Sequence, residues 1–327
     1  VTIAKHRTTV FEILVQKHFC DIELAAVVHT LQTANMVLGS SRYDWRIISD
    51  KPGFVQGAGV CLVRAAPVIP DHCLADYLIV IASKKRDPSV WLTRVRSMRR
   101  LGKAVILLAD AATQFISRTQ TETGAVTTHW ADAVVLRETQ DLPRLTSNLS
   151  EMSNGIITAA GRTATPELIL GLLAGELTVS EITDIGRHLL LPSIRTSSST
   201  QPFAHTAFQK FYDKAVSDAL ALMEANLSEP LSIADIAEHV ETSQRCLERR
   251  FRAVLETSPG QYYKQLRVRR AHRLVQETNL PLIDIAIATG FGSTGTLSTS
   301  FKKFYGVTPS DFRSKHRDRI LDYSEQM

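Results

Sequence analysis

The sequence predicts two folds in one chain: a doubly wound α/β domain at residues 1–191 and an all-α domain of two similar helical units at 208–319, joined by a linker at 192–207. Three observations predict it. Short apolar strands alternate with helical stretches through the first part, the βαβα rhythm of a parallel sheet covered on both faces. A helical segment occurs twice near the end, Ser232–Ala237 (SIADIA) and Pro281–Ala286 (PLIDIA), offset by 49 residues. The length, 327 residues, exceeds one ordinary domain and suits two.

In chain order, strands are expected at Val10–Val15, Trp45–Ser49, Tyr77–Ala82, Val105–Ala109 and Ile156–Ala159. Their apolar residues run together instead of alternating with polar ones, as in strands buried on both faces. Helices are expected near Asp21–Leu38, Pro88–Leu101, Ala112–Arg118 and Pro166–Leu190, with a short strand pair around Gly57–Val63. Pro192, Ser193, Thr196–Thr200 and Pro202 have little apolar content and no period, which is linker composition. Beyond Phe208 the pattern is helical throughout. Ser232 and Asp235 form a capping box, Pro259 and Pro281 sit at helix starts, and Gly306 follows a helix end.

Composition narrows the function classes. With 44% hydrophobic and 22% charged residues the chain is globular and has material for real cores. No apolar run approaches the ~18 residues of a membrane span. Val1–Arg7 does not resemble a signal peptide, so a cytoplasmic location is expected. Cys20, Cys61, Cys73 and Cys246 show neither CxxC spacing nor a dense framework and read as reduced thiols. The histidines lack metal-ligand spacing, and neither a metal nor a cofactor is expected. The net charge is only +5, but its placement is uneven. Between Ser243 and Arg273, nine Arg/Lys face two Glu, a net +7 that leaves the remainder at −2. A basic block in an otherwise slightly acidic chain points to a polyanion partner, against the plainer reading of a solvated helix face.

Each copy of the repeated segment leads through a short turn into a second helix, with Leu247 and Phe251 in one and Leu297 and Phe301 in the other. That is the helix-turn-helix pattern. The second turn, Thr289-Gly290-Phe291-Gly292, is one residue longer. In the first unit Leu247, Phe251, Val254 and Leu255 mark the inward face, and Arg245, Glu248, Arg249 and Arg252 the outward one. Arginine can bond guanine O6 and N7 together, and glutamate can accept from cytosine N4. The second unit presents Thr294, Gly295, Ser298 and Thr299, followed by Lys302 and Lys303. Small hydroxyls discriminate bases weakly and lysines hold phosphates. The first unit is therefore expected to supply most of the specificity, the second mainly position and shape reading.

These residues resemble the DNA-binding domain of the AraC/XylS family of bacterial regulators. The carriers are SIADIAEHVETSQRCLERRF, the connecting PGQYYKQLRVRRAHRLV, and a closing IAIATGFGSTGTLSTSFKKFYGVTPSDFR. The resemblance implies two three-helix subdomains joined by the helix near Pro259–Glu277. Their recognition helices would enter successive major-groove segments roughly 34 Å apart.

The front domain resembles, through Ala34-Asn35, DYLIVIAS and Thr127–Trp130 (TTHW), the PfpI-type, class I glutamine-amidotransferase-like domain of the GlxA-like subgroup. The resemblance implies a flavodoxin-like sheet. Catalytic relatives carry a cysteine at a strand-to-helix elbow where this chain has Ala109, followed by Asp110. A Gly-Gly that supplies an oxyanion amide is Ala82-Ser83 here, and the acidic residue of the first helix falls on His29. Without a thiolate, an activating neighbour and oxyanion donors, acyl chemistry is not expected. What remains is a pocket at the carboxyl ends of the strands, lined by His29, Ser83, Asp110, His129 and Trp130, with Arg162 nearby. The resemblance implies sensing of a small nitrogenous metabolite such as an amino acid or betaine. Asp110 would pair with a cationic head and Trp130 would offer a π face. In the alternative, Asp110 caps the following helix and His129 and Trp130 are structural.

The expected function is a DNA-binding transcription regulator, an activator that responds to a small effector, pairs as a homodimer and contacts RNA polymerase. Two rivals stand beside it: a constitutive DNA binder whose front domain only dimerises, and an amidase or hydrolase with a DNA-targeting tail.

Overall fold

Strand β1 (Thr9–Val15) sits mid-sheet in the front unit, and its side chains alternate between two cores. Phe11, Ile13 and Val15 enter one, Leu14 the other. The computed structural model describes residues 7–68, 75–84, 87–119, 124–140, 142, 144–201 and 213–315. Around β1 lie β2 (Tyr43–Ser49), β3 (Gly53–Gln56), β4 (Leu62–Pro67), β5 (Tyr77–Ile81), β6 (Ala104–Leu108), β7 (Ser150–Ser153) and β8 (Ile156–Ala159). Their order across the sheet is β3-β4-β2-β1-β5-β6-β8-β7. The inner pairings are parallel, and the hairpins β3–β4 and β7–β8 close the two edges antiparallel.

Helices α1 (Asp21–Leu38), α5 (Thr165–Leu173) and α6 (Val179–His188) bury Leu24, Val27, Leu31, Ile169 and Ile185 on one face. Helices α2 (Ser89–Arg100) and α3 (Asp110–Arg118) bury Trp91, Val95, Met98 and Phe115 on the other. Helix α4 (Trp130–Thr139) packs beside α3 through Ala133 and Leu136. This is the doubly wound sheet that the continuous apolar strands predict. A charged residue also lies buried within these strands. Glu12 is fully buried on β1, held by Arg94 of α2 at 2.8 Å and Arg46 of β2 at 3.0 Å. Removing either arginine would leave part of a charge uncompensated in the core.

Two expectations need correction. The single helix at Pro166–Leu190 is two helices, α5 and α6, because Thr178 and Glu181 form a complete capping box that starts a new one. The linker does not begin at 192. Residues 192–201 fold back onto the front unit, where the amides of Leu149 and Ser150 donate to the carbonyls of Ser199 and Ser197. Low apolar content hid this, since the segment is held by hydrogen bonds and one ion pair. The chain divides into compact units at Val1–Gln201 and Pro202–Met327. Linker positions 202–207, the first and last stretches of the expected helical domain (208–212 and 316–319), and Cys73 lie outside the described residues.

The second unit contains α7 (Lys214–Ala225), α8 (Ile233–His239), α9 (Gln244–Leu255), α10 (Pro259–Glu277), α11 (Leu282–Ala288) and α12 (Thr294–Tyr305). It has two small cores that share one long helix. Tyr262, Tyr263 and Leu266 of α10 pack with α7, α8 and α9, whereas Val268, Ala271, Leu274 and Val275 pack with α11 and α12. Among the described residues no helix is long and apolar enough to cross a membrane.

Candidate nucleic-acid interface

Helix α9 starts where Ser243 accepts a hydrogen bond from the Cys246 amide, and it ends at Glu256 in the left-handed region. Leu247 and Phe251 are completely buried against α7, α8 and α10. That anchoring turns Arg245, Arg249 and Arg252 to solvent, with Glu248 half-buried between them. At 3.6 residues per turn these four lie within about 100° of arc. The Glu248 carboxylate accepts from Gln244 at 3.3 Å and so has a fixed direction. Val254, expected inward, is 36% exposed, one residue before the helix ends, while Leu255 beside it packs against the core.

The basic block separates on inspection. Arg250 points away from the face that carries Arg245, Arg249 and Arg252 and pairs with Asp213 at 2.7 Å, at the N-cap of α7. Arg267 turns into the body of the unit. It donates to the Gly290 carbonyl at 2.8 Å and lies over the Phe291 ring at 4.7 Å and the Tyr263 ring at 5.8 Å. Counting charge along the chain could not distinguish these two from the outward arginines, since their partners lie 37 and 23 residues away.

Arg267 belongs to a joint between the two cores. Gly290 has φ +69°, and a Cβ there would lie 2.6 Å from the Leu227 carbonyl oxygen and from Pro230 in the α7–α8 loop. Only glycine fits both the backbone angle and the close approach. Tyr263 donates to the Asn226 carbonyl from the same side. The turn of the second helical unit is thus held against the first, which fixes the relative setting of α9 and α12.

Helix α12 repeats the inward pattern with Leu297 and Phe301, both fully buried. Thr294, Gly295 and Thr299 are exposed, as are Lys302 and Lys303, and Ser298 is half-buried. The hydroxyls are partly occupied. Thr299 donates back to the Gly295 carbonyl at 2.9 Å, and Ser293 is the N-cap that accepts from the Thr296 amide. His272 of α10 stacks on Tyr305 at 4.3 Å and lies 4.5 Å from Phe312, which closes the base of this core.

In the front unit the turn from β6 into α3 is made at Ala109, which has no nucleophilic side chain. Ala109 is buried with φ +33°, an unfavourable angle for a residue with a Cβ. Its amide donates to the Ala159 carbonyl, and its own carbonyl accepts from the Thr113 amide and from the Thr128 hydroxyl at 3.0 Å. Beside it, Gly161 leaves no room for a Cβ against Ala109 and Glu23. Arg162 approaches Glu23 and Asp110 at 3.6 Å each, and its amide donates to Glu23 at 3.0 Å. Lys84 pairs with Asp132 at 2.5 Å. Burial pushes the Glu23 carboxyl up to about 7 despite Arg162, and raises Asp110 as well. Three carboxylates thus meet two cations.

His29 is not part of this cluster. It is exposed on the outer face of α1, and the acid of that helix that meets Arg162 is Glu23, six positions earlier. Counting back from Ala34-Asn35 missed it. The signal available was an acid in the first turn of a helix that follows a buried strand. Ser83 is buried, with its amide facing Gln16 and its carbonyl accepting from Gln114. Asp110 opens α3 but makes no side-chain cap. His129 does cap, since its Nδ1 accepts from the Ala131 amide at 3.3 Å at the start of α4. Trp130 lies half-buried beside it, ring centroids 5.6 Å apart. Cys20, at the N-cap of α1, sits by Glu23 and Arg162, and burial pushes its thiol up.

Residues 236–315 match the family model described as a helix-turn-helix domain. Over 310 residues, 92% of this chain and 83% of the relative, the chain is 26% identical to the HTH-type transcriptional regulator GbdR of Pseudomonas aeruginosa. It is 36% identical over 109 residues to the HTH-type transcriptional activator AarP of Providencia stuartii, covering 33% of this chain and 78% of that protein. A crystal structure of a transcriptional regulator with an AraC-type DNA-binding domain from Chromobacterium violaceum is similar at 40% identity and a TM-score of 0.30. The match covers 31% of this chain and 91% of that one.

Proposed function

The chain belongs to the AraC family of helix-turn-helix transcriptional regulators, and from that premise we propose that α9 reads the operator while α12 mainly holds its backbone. One observation carries the reading. The α9 face opposite Leu247 and Phe251 presents Arg245, Arg249 and Arg252 with Glu248 among them, and the matching face of α12 presents small hydroxyls and two lysines. Selection of bound duplexes from a random pool tests it. The base positions facing α9 should be strongly constrained and those facing α12 weakly. Affinity should fall steeply with salt, because each phosphate contact releases counterions.

The front unit acts in this proposal as a non-catalytic sensor and dimerisation domain. Ala109 carries no nucleophile, and the thiol of Cys20 is held in its neutral form by burial. The Glu23–Asp110–Asp132 carboxylates, opposed by Arg162 and Lys84, favour a small cationic or zwitterionic nitrogenous effector, with Trp130 as its apolar wall. A cation favours the ionised form of Glu23. Effector binding should therefore strengthen as pH rises through about 7 and weaken below it. Thermal-shift titration with amino acids, betaines and polyamines at pH 6 and pH 8 checks this; a response equal at both would remove Glu23 from the site. Activation through contact with RNA polymerase, pairing as a homodimer and a cytoplasmic location complete the proposal.

A further inference from the structure

Before the chain leaves the front unit it makes a strap, and the strap ends in a buried amide. Arg195 forks onto the buried carboxylate of Glu167, Nε to Oε1 at 2.8 Å, and its backbone amide donates to the same oxygen at 3.0 Å. Thr200 then bridges Asn148 antiparallel, and the Gln201 amide donates to the Ser147 carbonyl at 2.8 Å.

Gln201 is 3% exposed and is the last residue of this unit. Its side-chain Nε2 donates to the Thr128 carbonyl at 2.7 Å and the Asn148 carbonyl at 2.9 Å, with the Thr127 hydroxyl at 3.1 Å. Its Oε1 accepts from the Trp130 amide at 2.8 Å, in the first turn of α4, where backbone amides have no carbonyl of their own helix to donate to. The orientation is forced, since a flipped amide would set its oxygen against two carbonyls. Thr128, which Gln201 grips, also donates its hydroxyl to the Ala109 carbonyl at the elbow. One side chain therefore joins the exit of the chain to the loop bearing His129 and Trp130, and through Thr128 to the elbow beside Asp110.

We propose that Gln201 is a positioning residue, a latch that couples the His129–Trp130 loop to the segment leading into the DNA-binding unit. The latch rests on the regulator reading above. It commits to a state of the protein rather than to one effector: with the amide seated, the strap is docked and the chain leaves the sheet at a fixed point. A change at the His129–Trp130 loop reaches the second unit by unseating it. Coupling of this kind is reciprocal, so a duplex bound to the second unit must act back on the same hydrogen bonds.

Hydrogen exchange on the full-length chain, with and without a saturating duplex selected from a random pool, reads this without knowledge of the effector. The amides of Trp130, Leu149, Ser150 and Gln201 should change their exchange rate by about five-fold or more on adding the duplex, a typical size for coupling between sites, while β5 and β6 stay as they were. The Gln201→Glu variant, which sets a carboxylate oxygen against the Thr128 and Asn148 carbonyls, should exchange fast at the same amides with or without the duplex. Its duplex Kd should move by a similar factor. Unchanged exchange in a wild-type protein that binds the duplex overturns the latch, and so does a Gln201→Glu protein that loosens these amides yet binds as wild type does. Should the variant fail to fold, the wild-type pair of measurements still decides. A wild-type protein that selects no duplex at all removes the regulator reading, and the latch with it.

Discussion

The two helix-turn-helix units of this chain have the same inside and different outsides. Ile236, Ala237, Leu247 and Phe251 fill the first core, and Ile285, Ala286, Leu297 and Phe301 the second, all at matched positions and nearly or fully buried. Outside, Arg245, Glu248 and Arg249 on α9 stand where α12 has Gly295, Ser298 and Thr299, while Arg252 is matched by another cation, Lys302. A duplicated fold keeps the residues that specify packing and frees the others to differ. The outward sets therefore report on what each helix touches, and the inward sets report only that both are helices.

The largest effects should test the sameness. Phe251→Ala and Phe301→Ala each empty a fully buried aromatic position and should each destabilise the protein by about 3–5 kcal/mol. Denaturant unfolding followed at the helical signal checks this, and the two costs should agree to within the scatter expected of such cavities. A twofold difference would mean that the cores are not equivalent supports. The joint between them comes next. Gly290→Ala places a Cβ against the Leu227 carbonyl at a left-handed backbone angle and should cost about 1–3 kcal/mol. Gly295→Ala, in open space on exposed α12, should be neutral or stabilise by up to about 1 kcal/mol. If both glycines behave alike, the joint does not bear on how the two units are set.

The difference between the outsides was legible in the sequence to the extent that it depends on helical period. Arg245, Arg249 and Arg252 recur at the spacing of one face, and Leu247 and Phe251 at the spacing of the other. The layered sheet was legible for the same reason, since strands buried on both sides must be apolar throughout. Where a side chain depends on a partner distant in sequence, local pattern carried no signal. Arg250 and Arg267 look like their neighbours until Asp213, Phe291 and the Gly290 carbonyl are brought beside them. Glu23 is one more acid in a first turn until the elbow arrives, and Gln201 is one more polar residue in a Ser/Thr-rich run until it is buried under the TTHW loop.

Affinity measurements then sharpen the outward contrast. Arg249→Ala should weaken operator binding by about 1–3 kcal/mol and relax the preference at one base pair, if the guanidinium makes a paired contact to guanine. Binding to the selected site and to its single-base variants separates the two effects. A loss that is uniform over all sequences would make Arg249 a phosphate holder and erase the contrast. Lys302→Ala and Lys303→Ala should do what Arg249→Ala does not. Each should lower the slope of log affinity against log salt by about 0.9 and leave the base preference intact.

The smallest effect expected is at Thr299, and it is the sharpest test of the asymmetry. The Thr299 hydroxyl already donates to the Gly295 carbonyl in its own helix, so its proton is not free for a base, and only acceptor capacity remains toward the groove. Alanine at this position loses that internal bond but gains helix propensity, and the two terms offset to within about 0.5 kcal/mol. Operator affinity of Thr299→Ala should therefore stay within a factor of about two of wild type. A loss of tenfold or more, confined to one base position, would show that the hydroxyl turns outward in the complex and reads sequence. The second unit would then be a reader in its own right, and its small residues a choice of bases rather than a blank face.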